Sequence, residues 1–187
     1  MTKRVFIIHG WGGYPEEGWR PWVREKLVAK GFEVFLPAMP NTDHPKQHAW
    51  TNHLQNIVGK PDIETYFIGH SLGCISILRY LEILEPNTKV GGVILVAGFD
   101  DGLGVPELHD FFRTPINWEK IKSHSDNFVS IESDNDPYGL LKYNDVFKNK
   151  LNAETIIAHN MKHFSGNDGI TELPIVLEYL LKFSNMS

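Results

Sequence analysis

The chain has 187 residues, of which 42% are hydrophobic and 22% charged, and this balance excludes an intrinsically disordered protein. Its formal net charge of -5 leaves no basic excess, which argues against nucleic acid or an anionic membrane as the main partner. A single cysteine excludes an internal disulfide framework, and no apolar stretch is long enough to span a membrane. We therefore expect a single domain over residues 1–187 that resides in the cytoplasm.

Short runs of apolar, β-branched and aromatic residues predict strands along the chain. They lie at residues 5–8, 32–36, 65–68, 93–96, 128–131 and 155–158. Apolar positions at helical spacing predict helices between them, and the first two end at the helix-stopping residues Gly31 and Gly59. These helices are expected near residues 19–27, 50–57, 72–81, 143–151 and 171–183.

The alternation of strands and helices predicts an α/β fold. We expect about six mostly parallel strands in the order 2-1-3-4-5-6, with helices on both faces of the sheet. Such sheets bind ligands at the carboxyl ends of their strands, where the strand order reverses. The loop after Ile8 is therefore expected beside the loop after residues 65–68.

Residues 69–73 read Gly-His-Ser-Leu-Gly and follow the third predicted strand, which is the pattern of a nucleophile elbow. A serine in such a turn is held in a strained conformation, and glycine suits the positions two before and two after it. The helix that follows presents its first amides to any negative charge that forms beside the hydroxyl. The sequence therefore predicts Ser71 as a nucleophile, with Cys74 as a weaker rival.

Two later loops carry candidates for a general base and for the acid that orients it. The loop after the fifth predicted strand contains Asp134 and Asp136, and the loop after the sixth contains His159 and His163. Elbow-type hydrolases supply these groups in the order serine, acid, histidine. We assign Asp136 and His163, because His159 directly follows its strand and Asp134 fits a turn-capping role, although Asp134 stays open as the acid.

An oxyanion needs two amide donors, and we expect them from the backbone of Trp11 and Leu72. The glycine-rich stretch 9–13 allows the backbone to approach a reacting carbonyl closely. It lacks both G-x-G-x-x-G and a Walker lysine, so a phosphate-binding loop is not predicted. The residues expected beside the substrate are His9, Gly10, His70, Phe111 and Phe112.

The segment 99–118 is too long for a plain connection. Phe111 and Phe112 either cover a substrate pocket or, together with Trp118, pack on the sheet, and both interpretations are open. If the segment covers the pocket, its aromatic residues favour small or medium acyl groups. The pair Thr114-Pro115 looks like a helix start.

No metal site and no cofactor are predicted. His44, His48 and His53 only loosely match the spacing of metal ligands, and without a clear carboxylate partner we take them as solvated. The stretch 134–145 partly resembles a calcium loop, but Tyr138 stands where an oxygen ligand is needed.

Four stretches carry a resemblance to a known family: 6–10, 70–74, 92–99 and 173–176. Together with Asp136-Pro137 and His163-Phe164, they resemble the α/β-hydrolase superfamily. The likeness extends over nearly the full length to the small YdeN-like serine hydrolases, relatives of the retinoblastoma-binding serine hydrolase. The resemblance implies a reduced α/β-hydrolase fold without the first two antiparallel strands, and a triad of Ser71, Asp136 and His163.

These observations predict a serine hydrolase that cleaves a carboxylic ester, or a related acyl bond, of a small or medium substrate through an acyl-enzyme. Because His163 has to be neutral to accept a proton, we expect activity to rise as the pH increases through roughly 6 to 7. Thioesterase, peptidase and acyltransferase activities stay open, as do the oligomeric state and any protein partner. The alternative is a non-catalytic binding or scaffold protein that retains the hydrolase fold.

Overall fold

A computed structural model describes residues 2–186. Over that range the strands are β1 (Arg4–Ile8), β2 (Glu33–Phe35), β3 (Thr65–His70), β4 (Gly92–Val96), β5 (Phe128–Ser133) and β6 (Glu154–Ala158). The α-helices are α1 (Arg20–Ala29), α2 (Gln47–Val58), α3 (Leu72–Glu82), α4 (Trp118–Lys122), α5 (Tyr143–Leu151) and α6 (Pro174–Phe183). Single-turn or irregular 3₁₀ stretches lie at Pro106–Phe112, Leu140–Lys142 and Gly166–Asp168.

All strands join one parallel sheet in the order β2-β1-β3-β4-β5-β6. Helices α1 and α6 contact each other on one face, while α2, α3, α4 and α5 form a continuous row on the other. This arrangement confirms the predicted fold class and strand order. The order reverses between β1 and β3, so the loops that follow these two strands are neighbours at the carboxyl edge of the sheet.

Burial of the strands follows their position in the sheet. Every residue of β3 and β4 is buried, whereas the edge strands β2 and β6 contain exposed positions. Central parallel strands are covered on both faces and therefore read as continuous apolar runs. The ring of Phe6 in β1 stacks on Phe35 at 4.7 Å and on Phe67 at 5.7 Å, which joins three neighbouring strands in the core.

Helix α4 begins at Trp118, so the predicted helix start at Thr114-Pro115 is wrong. The guanidinium of Arg79, which is buried in α3, donates to the carbonyl groups of Thr114 and Pro115. These contacts hold the stretch in a non-helical conformation. Asn117 then provides the N-cap, because its side chain accepts the amide of the third helical residue at 3.1 Å.

Candidate active site

Ser71 occupies the sharp turn between β3 and α3. Its backbone has φ 56° and ψ −123°, a conformation that is strained for a residue with a side chain. A Cβ atom on Gly73 would lie 2.2 Å from the carbonyl oxygen of Ile8, and one on Gly69 would lie 2.7 Å from the backbone of Cys74. The turn therefore requires glycine on both sides of the serine.

A chain of hydrogen bonds connects Ser71 with His163 and Asp136. The Ser71 Oγ atom lies 3.0 Å from His163 Nε2, and His163 Nδ1 lies 2.8 Å from Asp136 Oδ2. The Asp136 side chain is completely buried, whereas the imidazole of His163 is 17% exposed. The second carboxylate oxygen of Asp136 accepts the Tyr138 amide at 2.9 Å. The fold thus brings together the predicted side chains of Ser71, Asp136 and His163, although their loops are far apart along the chain.

A groove lies beside Tyr138, which contacts His163. The ring of Tyr138 packs edge-on against the imidazole, with 4.9 Å between ring centroids, and half of this tyrosine is exposed. Tyr138 also lines a groove of about 690 Å³. The groove lies between the loops that carry residues 101–109 and 137–142, and its polar wall includes Asp101 and Lys142. Tyr138 therefore connects the lining of this groove with His163, while Ser71 and His163 themselves lie outside that lining.

The two competing candidates, Asp134 and His159, are hydrogen-bonded to each other. His159 Nδ1 lies 2.6 Å from Asp134 Oδ2, with the imidazole of His159 78% exposed. The Asn160 amide and this histidine lower the pKa of Asp134 through their hydrogen bonds. Burial, with a smaller effect of nearby Glu132, raises the pKa of Cys74 well above its usual range, so the thiol does not form a thiolate readily. Within residues 2–186, none of these three side chains is hydrogen-bonded to the Ser71 hydroxyl.

The Leu72 and Trp11 amides, which the sequence predicts as oxyanion donors, lack a helix partner and a hydrogen-bond acceptor, respectively, within residues 2–186. Leu72 is the first residue of α3, and its amide has no partner within the helix. Within residues 2–186 the Trp11 amide has no hydrogen-bond acceptor, while the indole of Trp11 donates to the Asp43 carbonyl at 2.9 Å. A Cβ atom on Gly10 would lie 2.9 Å from the Ser71 Cβ atom, so the loop after β1 directly adjoins the serine.

Four of the five residues expected beside the substrate are buried: His9, Gly10, His70 and Phe111. The exposed fraction is 1% for His9, 4% for His70 and 0% for Phe111. Burial lowers the pKa of His9, and Phe111 packs edge-on against Trp50. Their burial favours the packing interpretation for Phe111, and the expected contact of these residues with substrate stays a prediction. Phe112 is partly exposed, so that expectation stays a prediction for this residue.

A family model described as serine hydrolase matches residues 5–182. The chain belongs to this serine hydrolase family. It is 32% identical over 184 residues to YdeN of Bacillus subtilis (strain 168), across 98% of this chain and 97% of that protein. It is 28% identical over 171 residues to the serine hydrolase RBBP9 of Rattus norvegicus, across 89% of each chain. The predicted family is thereby confirmed.

Solved structures agree with this membership. The crystal structure of the ydeN gene product from B. subtilis has a TM-score of 0.93 at 31% identity and covers 98% of this chain and 100% of that one. A carboxylesterase structure from the thaumarchaeon Nitrososphaera gargenis has a TM-score of 0.75 at 15% identity, over 98% and 90% of the two chains. This second likeness concerns the fold alone.

Sequence reasoning misses two charged residues that support the site of this serine hydrolase. Asp168 accepts the His163 amide at 3.1 Å and the Ser165 hydroxyl at 2.7 Å. The spacing Ser165-x-x-Asp168 is a capping-box pattern and offers a signal for this contact. Arg20 is only 1% exposed, and its position three before the buried Val23 places it on the apolar side of α1.

Glu132, near the end of β5, is a third charged residue that sequence reasoning misses. It is completely buried, and its Oε1 atom accepts the Gly98 amide at 2.9 Å. Within residues 2–186 the Oε2 atom has no hydrogen-bond partner. Burial raises the pKa of Glu132 well above its usual range, and the charge of nearby Asp136 acts in the same direction. No pattern in the sequence distinguishes it from an exposed strand end.

The part of the chain that the structure describes contains no group of three His, Cys, Asp or Glu side chains arranged to hold a metal ion. His44 and His48 are exposed, and His53 is half-buried. In the same part of the chain, no helix has both the length and the apolar character that a membrane span requires.

Proposed function

We propose that this serine hydrolase cleaves carboxylic esters, with Ser71 as the nucleophile, His163 as the general base and Asp136 as the residue that orients the base. The observation that carries the proposal is the hydrogen-bonded chain of 3.0 Å and 2.8 Å from the Ser71 hydroxyl to the buried carboxylate. The carboxylesterase from Nitrososphaera gargenis, which shares the fold, supports an ester as the substrate class.

Asp136 selects the tautomer of His163. A buried carboxylate accepts a hydrogen bond, so the proton of the neutral imidazole resides on Nδ1 and leaves Nε2 free to accept one from Ser71. In the proposed first step, Ser71 Oγ forms a bond to the ester carbonyl carbon while its proton moves to His163 Nε2. The carbonyl oxygen becomes an oxyanion that accepts hydrogen bonds from the amides of Trp11 and Leu72.

Collapse of this intermediate breaks the carbon–oxygen bond to the leaving alcohol, which takes the proton from His163 Nε2. A water molecule then attacks the acyl-enzyme and gives its proton to the same nitrogen. Release of the carboxylic acid returns that proton to Ser71 and restores the resting state. We place the substrate at Ser71 beside Tyr138, whose ring packs on His163 and lines the neighbouring groove.

Hydrolysis of p-nitrophenyl butyrate by the purified protein tests the proposal. We expect Ser71→Ala to lower kcat/KM by on the order of 10⁴-fold or more, because the residual rate depends on binding and the oxyanion donors alone. Ser123→Ala removes an exposed hydroxyl outside the site and serves as the matched control. A fluorophosphonate probe should label the wild type and Ser123→Ala but not Ser71→Ala.

Absence of Ser71-dependent hydrolysis and labelling would contradict the esterase proposal and favour a scaffold protein that retains the fold. Matched butyryl thioesters and amides identify the preferred acyl bond. A value of kcat/KM for a thioester or amide far above that for the oxygen ester would replace the esterase assignment with a thioesterase or peptidase.

A further inference from the structure

The buried side chain of His70 lies beneath the loop that carries His163. Its Nε2 atom is 2.8 Å from the His163 carbonyl oxygen, and its Nδ1 atom is 3.3 Å from Arg20 Nη1. The rings of His70 and His163 are 5.2 Å apart. Both nitrogens of His70 are therefore engaged with groups other than the Ser71 hydroxyl, although His70 directly precedes Ser71 in the chain.

Arg20 determines the protonation state of His70. A guanidinium group only donates hydrogen bonds, so Nδ1 of His70 has to be the acceptor. The ring is consequently neutral with its proton on Nε2, and this N–H donates to the His163 carbonyl. Burial lowers the pKa of His70 well below its usual range, and the charges of His163 and Arg20 act in the same direction.

The loop around His163 needs such support because its backbone is strained. Asn160, Lys162 and Phe164 have φ values of 60°, 48° and 55°, in the left-handed region that residues with side chains rarely adopt. Lys162 and Phe164 directly flank His163. A conformation of this kind persists only where the surrounding structure fixes it.

Hydrogen bonds hold the backbone of His163 from both sides. Its amide donates to Asp168 Oδ2 at 3.1 Å, and its carbonyl accepts from His70 Nε2 at 2.8 Å. The preceding amide, that of Lys162, donates to Asn135 Oδ1 at 2.8 Å. Of these contacts, the one from His70 comes from the turn that also carries Ser71, so it links the positions of the two reacting side chains.

Arg20 extends the link to the loop after β1. Its guanidinium donates to Glu17 Oε2 and to the Tyr14 carbonyl, both at 2.9 Å. These residues follow the stretch that contains the Trp11 amide. One buried arginine therefore contacts the segment next to the proposed oxyanion donor and, through His70, the histidine loop.

We infer that His70, held by Arg20, is a positioning residue that fixes the His163 carbonyl and thereby the direction of the His163 imidazole toward Ser71. This inference rests on the proposed esterase function. The two ring nitrogens of His70 bond Arg20 and the His163 carbonyl and neither the Ser71 hydroxyl nor the His163 imidazole. Its loss should therefore reduce kcat while KM stays nearly constant, because the reacting groups become misaligned and the groove beside Tyr138 is unchanged.

Two substitutions separate the contacts of His70. His70→Asn places an amide group where Nδ1 lies, so it retains the contact with Arg20 and is too short to reach the His163 carbonyl. His70→Gln extends an NH₂ group to the position of Nε2, so it retains the contact with His163 and loses the one with Arg20. We expect His70→Asn to lower kcat for p-nitrophenyl butyrate by about 10- to 100-fold. We expect His70→Gln to recover most of that loss.

His124→Asn provides the matched control. His124 is also buried, with 1% exposure, and bonds the Thr88 carbonyl at 2.7 Å outside the site. Its substitution should lower stability in thermal unfolding and leave kcat per folded molecule unchanged. A wild-type kcat in His70→Asn, or an equal loss in His70→Asn and His70→Gln, would overturn the positioning role. Absence of Ser71-dependent hydrolysis in the wild type would instead overturn the proposed function itself.

Discussion

Gly73 has the least room for a side chain around Ser71. An added Cβ atom would lie 2.2 Å from the Ile8 carbonyl oxygen and 2.8 Å from that of His9. Alanine favours a helix over glycine by about 1 kcal/mol, but backbone atoms of a central strand cannot move aside as a flexible side chain does. We expect Gly73→Ala to lower the free energy of unfolding by about 1–3 kcal/mol, measured by urea denaturation.

Gly31→Ala is the control for Gly73→Ala, because it introduces backbone strain without the steric overlap expected at Gly73. No atom lies within 4 Å of a Cβ atom at Gly31, and its φ of +87° makes strain the only cost, about 1–2 kcal/mol. Gly73→Ala should in addition lower kcat, because Gly73 fixes the elbow that carries Ser71. A Gly73→Ala variant with unchanged stability and kcat would contradict the close approach of β1 to the elbow.

The residues of the site differ in how much of their role the sequence reveals. Ser71 has a motif, and the candidates Asp136 and His163 follow from the positions of their loops after strands. The supporting contact of His70 joins residues 93 positions apart, and its partner is a backbone carbonyl that has no sequence signature. The choice between Asp134 and Asp136 likewise depends on which carboxylate the loop turns toward His163. The order of residues in the loop does not reveal that direction.

At the scale of elements, Arg79 attaches the segment between β4 and α4 to helix α3. Its side chain is 1% exposed, pairs with Glu82 at 2.8 Å and donates to the Phe111 carbonyl at 2.8 Å and 3.0 Å. Arg79→Met removes one partner of a largely buried ion pair and leaves carbonyl groups without donors. We expect a loss of about 3–5 kcal/mol in unfolding free energy, and faster trypsin cleavage after the exposed Arg113.

Arg24→Met is the control for this prediction, because the Arg24–Glu16 pair lies on the surface and exposed pairs contribute about 0–1 kcal/mol. Mass spectrometry of short digests identifies the cleavage site. Equal cleavage after Arg113 in Arg79→Met and Arg24→Met would show that Arg79 does not hold the segment.

The strands are predictable because each is a short apolar run, and the long helices because each has apolar positions at helical spacing. The segment 99–118 has no such pattern, and its course is set by a residue of another element, Arg79. Helix α6 begins at Pro174 and not near residue 171, since proline suits the first position of a helix and the preceding residue is biased away from helical conformation. Local sequence thus fixes the elements, while the irregular connections depend on tertiary contacts.

At the scale of the whole molecule, strand order determines where the site forms. Ser71, Asp136 and His163 follow β3, β5 and β6, and parallel strands place all these loops at one edge of the sheet. The same architecture buries titratable groups beneath the site. His9 and His70 lie under the loops after β1 and β3, and Glu132 lies near the end of β5.

These buried groups make the unfolding free energy depend on pH in opposite directions. Burial lowers the pKa of His9 and His70 from the usual 6.5, so below that pH the unfolded chain binds protons that the folded chain does not. Their effect therefore makes stability rise with pH up to about 6.5. The raised pKa of Glu132 has the opposite sign, because above its usual 4.5 the folded chain keeps a proton that the unfolded chain releases.

Above pH 6.5 the two histidines no longer change stability with pH, whereas Glu132 lowers stability as the pH rises from 4.5 toward its raised pKa. Glu132→Gln is nearly isosteric, keeps an oxygen for the Gly98 amide and carries no ionisable proton. Relative to the wild type, we expect its unfolding free energy to increase with pH above about 4.5, by at most about 1.4 kcal/mol per pH unit, until the raised pKa of Glu132 is reached. Urea unfolding at four pH values measures this difference, with Glu33→Gln on the exposed edge of β2 as the control for loss of charge. Parallel stability curves for Glu132→Gln and the wild type would mean that Glu132 is not held protonated in the folded state.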